Sequence, residues 1–89
     1  MASLQETQQR HAQDVVSNNL AGLMGDFAPG AMTKVMGIAA NPINADSYQI
    51  ADLGNNEAEI TFIGAAKRVI WEHWVENGER WQIDDLAER

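Results

Sequence analysis

Apolar side chains recur at the helical period over residues 5–27. They form one stripe, made of Ala12, Val15, Val16, Leu20, Leu23, Met24 and Phe27. This spacing predicts helix with one face against a core. The run Ser17-Asn18-Asn19 interrupts the stripe, and because Asn favours helix caps, Asn18 or Asn19 is predicted to begin a second short helix. The segment 27–30, which contains Pro and Gly, is predicted to end the helical part.

The rest of the chain has the pattern of β-strands. Segments 47–54, 57–64, 67–76 and 79–88 are rich in β-branched and aromatic residues and predict an antiparallel meander. Residues 31–42 are ambiguous, because their Ala and Met favour helix while their Thr, Val and Ile favour strand; the prediction is a strand. The fold class is therefore α+β: a single domain over residues 1–89, with one N-terminal helix or two packed on a curved antiparallel sheet.

A turn at Asn55-Asn56 sets the register of the first predicted hairpin. Gly54 then faces Glu57, and Asp52 faces Glu59. The buried face is predicted to consist of Gln49, Ala51, Leu53, Ala58, Ile60 and Phe62. The facing carboxylates are either an acid–base pair with separated pKa values or a solvated pair at the surface.

The last hairpin carries all three tryptophans. Asn77-Gly78 favours a tight turn, which places Trp74 opposite Trp81. One face then holds Ile70, Glu72, Trp74, Trp81, Ile83 and Asp85, and the other holds Val69, Trp71, His73, Val75, Arg80, Gln82, Asp84 and Leu86. Because both faces carry large apolar groups, a second subunit, a ligand or more of the chain must cover the second face. A second subunit is favoured, which predicts a homodimer formed through the sheet face.

The net negative charge of the chain argues against anionic partners. Six Lys and Arg stand against 13 Asp and Glu, for a net charge of −7, and the basic residues form no run. Because nucleic acid binding relies on cations that neutralise phosphates, neither nucleic acid nor an anionic membrane is a predicted partner. The absence of Cys excludes disulfides and thiolate chemistry. With no apolar run of membrane-spanning length and no signal-peptide core, a cytoplasmic location is predicted.

Two stretches suggest a family. The segment NNLAGLMGDFAPGAM (18–32) and the final pattern W-x-x-N-G-x-x-W-x-I-x-x-L (74–86) resemble the NTF2-like superfamily, which includes SnoaL-like and ketosteroid-isomerase-like proteins. The resemblance implies a cystatin-like fold with a cone-shaped pocket. Members are usually longer and place a further helix between their first two strands, for which residues 39–47 leave no room. The fold hosts isomerases, hydrolases, lyases, binding proteins and transport adaptors, so it does not select a function.

Two residues are candidates for catalysis. His73 shares a strand face with Trp71 and is either a general acid or base or a packed interface histidine. Tyr48, the only tyrosine, either donates a hydrogen bond to an oxyanion, as a pocket tyrosine does in enzymes of the family, or lies half-buried in the sheet. The predicted ligand or interface residues are Trp71, Trp74, Trp81, Ile83, Phe62 and Met36.

Nothing in the sequence indicates a metal or a cofactor. His11 and Asp14 stand three residues apart on a helix, but no further ligand motif accompanies them. Met24, Met32 and Met36 either line an adaptable pocket or fill the core. The sequence therefore predicts a non-catalytic homodimeric module that binds a small apolar ligand or a protein partner. The alternative is a small isomerase, dehydratase or cyclase that uses His73 with Tyr48 or an acidic residue.

Overall fold

The computed structural model describes residues 3–89 of the chain. Its helices precede its strands, in the order α1 (Leu4–Val16), α2 (Leu20–Leu23), a short 3-10 helix (Pro29–Ala31), α3 (Met32–Ala39), β1 (Ser47–Gly54), β2 (Glu57–Ile63), β3 (Lys67–Asn77) and β4 (Arg80–Glu88). The strands form one antiparallel sheet in sequence order, which is open rather than closed into a barrel. The predicted α+β class and the four-strand meander are thus confirmed. No helix within residues 3–89 is both long and apolar enough to cross a bilayer.

α1 and α2 follow the predicted pattern, but the segment 27–30 does not end the helical part, because α3 follows it. Ser3 and Glu6 form a capping box at the start of α1, each side chain bonding the other residue's backbone N–H. α1 ends at Val16, and Asn18 then adopts a positive φ of 56°. The Asn19 side chain accepts a hydrogen bond from the Gly22 N–H at 3.3 Å and caps α2. The prediction that this asparagine pair begins a second helix is confirmed.

Residues 32–39 are helical, so the predicted strand over 31–42 is wrong. Pro29 stands in the first turn of the 3-10 helix, where its fixed φ suits helical backbone, and α3 continues from that turn. Val35 and Ile38 are three residues apart, which places both on the helix face that packs against the core. In this segment the β-branched residues mark the buried face of a helix.

The first hairpin turns where expected, but its first strand is shifted. Asn55 and Asn56 have φ of 53° and 62°, and Gly54 pairs with Glu57, as predicted. A bulge at Leu53 then moves the pairing by one residue, so that Asp52 faces Ala58. The predicted pairing of Asp52 with Glu59 is therefore wrong.

The bulge also exchanges the faces of β1. Tyr48 pairs with Phe62 and Ile50 with Ile60, so the inward side chains of β1 are Tyr48 and Ile50. The predicted inward set Gln49, Ala51 and Leu53 is wrong, because one extra residue reverses every side chain beyond it. The predicted set on β2 is confirmed: Ala58, Ile60 and Phe62 are buried.

In the tryptophan hairpin the turn lies one residue later than predicted. Asn77 pairs with Arg80, so Gly78 and Glu79 are the turn residues, and Gly78 has a φ of 69°. Only the first central position has positive φ, which is the requirement of a type II′ turn. Trp74 consequently pairs with Ile83, and Trp81 with Glu76. The predicted Trp74–Trp81 pairing is wrong, although both side chains contact the same core.

A second bulge reorients the end of β4. His73 pairs with Asp85 and Trp74 with Ile83, which leaves Asp84 as the extra residue. Leu86 therefore pairs with Glu72 on the inner face and is buried. The register without a bulge predicted that Leu86 lies on the outer face. Trp74 and Ile83, both with no solvent exposure, lie at the centre of the core.

The segment after α2 forms backbone hydrogen bonds with the free edge of β4. The Ile83 N–H donates to the Asp26 carbonyl at 2.7 Å, and the Ala28 N–H donates to the Ile83 carbonyl at 2.8 Å. Phe27 thereby forms a one-residue parallel bridge with Ile83. These bonds hold residues 26–28 along the outer edge of the sheet.

Candidate functional site

A pocket of about 600 Å³ lies between the helices and the inner face of the sheet. Its walls come from α1, α2, α3 and the segment that follows α3, and its floor comes from the strands. Most lining residues are apolar: Val15, Leu20, Leu23, Met24, Phe27, Met32, Val35, Ile38, Ala39, Pro42, Ile43, Phe62, Ile70 and Leu86. The volume falls in the range of pockets that enclose small organic molecules.

The rim of the pocket exposes apolar side chains to water. Leu20 is 63% exposed, Met24 81% and Met32 44%. All three line the pocket. Soluble proteins rarely leave such side chains grouped at one place unless they contact a ligand or a partner.

Two buried polar residues, His11 and Glu72, also line the pocket. The Nε2 atom of His11 lies 3.2 Å from Oε2 of Glu72, and Nδ1 lies 2.8 Å from Oδ2 of Asp26. The imidazole contacts the rings of Phe27 and Trp74 edge to face. Because both ring nitrogens face carboxylate oxygens, each must carry a hydrogen to donate, so this geometry selects the imidazolium form.

The carboxylates around His11 have further donors. The indole N–H of Trp74 donates to Oε1 of Glu72 at 3.2 Å. The guanidinium of Arg10 bonds to Oδ1 of Asp26 and, at 2.6 Å, to Oδ2 of Asp14. This His11 cluster, defined as Arg10, His11, Asp14, Asp26 and Glu72, therefore combines two cations with three carboxylates.

The cluster shifts the pKa of its buried histidine upward. Burial alone would lower the pKa of His11, since it disfavours the charged ring. The attraction of the Glu72 carboxylate and the hydrogen bond to Asp26 outweigh burial and raise the pKa to about 9. His11 is therefore a cation at neutral pH.

Asp26 shows the complementary shift. Its burial would raise the pKa of the carboxyl group, but hydrogen bonds from His11 and Arg10 more than offset burial and lower the pKa below its ordinary value. Asp26 is thus ionised at neutral pH, and the His11–Asp26 contact is an ion pair in the interior.

Helical spacing explains how His11 reaches the floor of the pocket. His11 precedes the buried Ala12 and stands four residues before Val15, so it lies on the inward face of α1. From the sequence, His11 is a candidate only as a metal ligand together with Asp14. Glu72 was the signal that could have revealed the role of His11. Strand alternation places this carboxylate between Ile70 and Trp74 on a buried face, where a charge needs a partner.

His73, the predicted acid or base, is not among the lining residues of this pocket. It points to the sheet face opposite the helices, where its Nδ1 lies 2.6 Å from Oδ1 of the exposed Asp84. Tyr48 packs against the core from β1 and likewise does not line the pocket. The structure does not bring the two residues together at one site, and their catalytic role stays a prediction.

The predicted ligand or interface residues occupy different places. Phe62 lines the pocket. Trp74 and Ile83 are fully buried in the core, and Trp81 packs against it. Met36 is 70% exposed on α3 and does not line the pocket.

Trp71 lies on the outer face of the sheet. Its indole N–H donates to Oε1 of Glu57 at 2.9 Å, and the guanidinium of Arg89 stands 5.5 Å from the ring centre. Trp71 is half-buried, together with Val69, His73 and Val75 on the same strand. No helix of the described residues 3–89 covers this face.

No group of three or more His, Asp and Glu side chains in the described range 3–89 could hold a metal ion. In the His11 cluster, the lone pairs that a metal would need on the imidazole are replaced by N–H groups that bond carboxylates.

Comparison with known proteins returns no relative. No family model matches the chain, and no curated protein or solved structure matches it significantly. The pocket and the His11 cluster are therefore the features that bear on function.

Proposed function

We propose that this protein is a non-catalytic module that binds a small apolar molecule in the pocket above His11 and Glu72. The observation that carries the proposal is the pocket of about 600 Å³, whose lining is aliphatic and aromatic except for His11, Glu72 and Asn18. Such a composition, with few polar groups, is typical of ligand sites. The helices before an open antiparallel sheet suit a short member of the NTF2-like superfamily, which we propose as the family.

The hydrogen bonding of the pocket floor favours binding over catalysis. Both nitrogens of His11 and both oxygens of Glu72 already have partners within the protein. A general acid or base must exchange a proton with the substrate, which here requires breaking an internal ion pair. The alternative of an isomerase, dehydratase or cyclase that uses His73 gains no support from the pocket, since His73 lies on the opposite face of the sheet.

A substitution that fills the pocket should abolish binding. Val35 lines the pocket, and the neighbouring Met36 is exposed and does not. We expect Val35→Trp to remove the thermal stabilisation and fluorescence enhancement that an uncharged hydrophobic dye such as Nile red produces with the folded wild type, because the indole takes the ligand's volume. Met36→Trp should retain both signals.

The same pair of variants can contradict the proposal. Equal dye binding by Val35→Trp and Met36→Trp, with both variants folded by circular dichroism, would show that the dye binds elsewhere. Loss of binding in Met36→Trp alone would place the ligand on the exposed side of α3 instead.

We also propose that the outer face of the sheet pairs with the same face of a second copy. Val69, Trp71 and Val75 are half-buried there without a covering helix. Isologous association is the commonest way for one patch to be covered by itself.

The dimer proposal predicts a mass twice that of the 9.8 kDa chain. Light scattering coupled to size exclusion should show this mass at micromolar concentration, and Trp71→Glu should convert the protein to a monomer by placing a charge in the contact. Met36→Glu, on the helical side, is the control and should remain dimeric. A wild-type mass near 9.8 kDa over the whole concentration range would exclude the dimer.

A further inference from the structure

The floor of the pocket is asymmetric in its hydrogen bonding. His11 donates both of its N–H groups to carboxylates, so neither is free for a ligand. Glu72 receives one bond on each oxygen, from His11 and from Trp74, and each carboxylate oxygen can accept more than one. The floor therefore offers acceptors to a ligand and no free donor.

The charges around the pocket floor also disfavour an anionic ligand. Among the described residues, the pocket lining contains no Lys or Arg, and its one cation, His11, stands between two carboxylates. The His11 cluster as a whole has two cations and three carboxylates, and the chain carries a net charge of −7. An anionic head group at the floor would meet Glu72 without a partner, and burying such a charge is unfavourable.

The third polar residue of the lining does not alter this balance. Asn18 is exposed, in the turn between α1 and α2, and so lies at the mouth of the pocket rather than at its floor. Glu72, by contrast, lines the pocket from β3, at its floor.

From this arrangement we infer that the ligand is an amphiphile whose polar end donates hydrogen bonds to Glu72, a primary amine or, more weakly, an alcohol, and that fatty carboxylates are excluded. The inference rests on the proposed function, because it assigns the ligand class of the same pocket. The Glu72 carboxylate selects the head group, and the aliphatic walls bind the chain.

Three probes with one chain length test the inference: octylamine, octanol and octanoate. Isothermal titration calorimetry of the wild type at neutral pH and physiological salt should rank them in that order. Octylamine is expected to bind at least about tenfold more tightly than octanoate, since it gains a charge-assisted hydrogen bond where octanoate meets repulsion. Val35→Trp should abolish octylamine binding, which separates binding in the pocket from attraction to the acidic surface.

Glu72→Gln should reduce the preference for octylamine over octanoate by about tenfold, because the amide is neutral and also offers a donor. Glu79→Gln is the matched control. It removes one negative charge from the exposed turn of the last hairpin and should leave the preference unchanged. If Glu72→Gln does not fold, the ranking of the three probes on the wild type decides the matter.

The outcomes separate the two claims. Octanoate binding as tightly as octylamine, with both lost in Val35→Trp, would overturn the ligand class and leave the pocket's binding function intact. Equal effects of Glu72→Gln and Glu79→Gln would show that overall charge, rather than Glu72, selects the head group. Failure of all three probes to bind would count against the proposed function itself.

Discussion

Glu72→Ala is expected to destabilise the protein by about 3–5 kcal/mol, close to the whole stability of many small domains. Glu72 is 1% exposed and accepts bonds from His11 and from the Trp74 indole. Removing it leaves a buried cation with one partner fewer and a buried indole N–H with none. Urea denaturation followed by tryptophan fluorescence measures the loss.

Two further variants test the physical reason for this loss. Glu79→Ala, in the exposed turn, should change the free energy of unfolding by less than about 0.5 kcal/mol. The double variant His11→Leu/Glu72→Leu removes the cation together with its partner, so it should be less destabilised than the sum of the two single leucine variants. Strictly additive losses would show that His11 and Glu72 are not coupled.

Alkaline pH should destabilise the wild type by roughly 2–4 kcal/mol through the raised pKa of His11. Its pKa is raised from 6.5 to about 9 in the folded state. The raised value means that the folded state binds the proton more tightly than the unfolded chain, so the stabilisation is complete below about pH 6.5 and is lost as pH rises through about 9. Asp26, whose pKa is lowered, acts oppositely and loses its contribution only in acid.

The second histidine provides the control for the pH experiment. Free energies of unfolding between pH 6 and 10 should fall steeply for the wild type and for His73→Gln. They should fall much less for His11→Gln, whose side chain does not titrate. All other side chains are unchanged in His11→Gln, so its difference from the wild type reports His11. A wild-type curve parallel to that of His11→Gln would contradict the raised pKa.

Alternation along the strands was sufficient to predict the meander and most of the inner face of the sheet. It failed where an extra residue interrupts the ladder, at Leu53 and at Asp84. A bulge has no fixed composition, and a single-residue shift exchanges the two faces, so each bulge reversed the side chains beyond it. The two bulges thus explain why the predicted pairing of Asp52 and the predicted outward position of Leu86 are wrong.

The site was harder to predict than the fold, because its polar floor joins three distant segments. His11, Asp26 and Glu72 come from α1, the segment after α2, and β3. Helical periodicity places His11 inward, and strand alternation places Glu72 inward, but neither pattern says that the two side chains meet. The segment over 31–42 added to the difficulty, since the wall that α3 forms was predicted as a strand.

The short bridge at Phe27 protects one edge of the sheet from pairing with strands of other chains. The outermost strands of an open sheet display unpaired backbone groups that can recruit a strand from another chain. Bonds to residues 26 and 28 occupy both backbone groups of Ile83 in β4. A foreign strand therefore cannot pair continuously along the β4 edge, because its central residue is already bonded. The other edge strand, β1, carries the bulge at Leu53 and is the edge that a foreign strand would have to use.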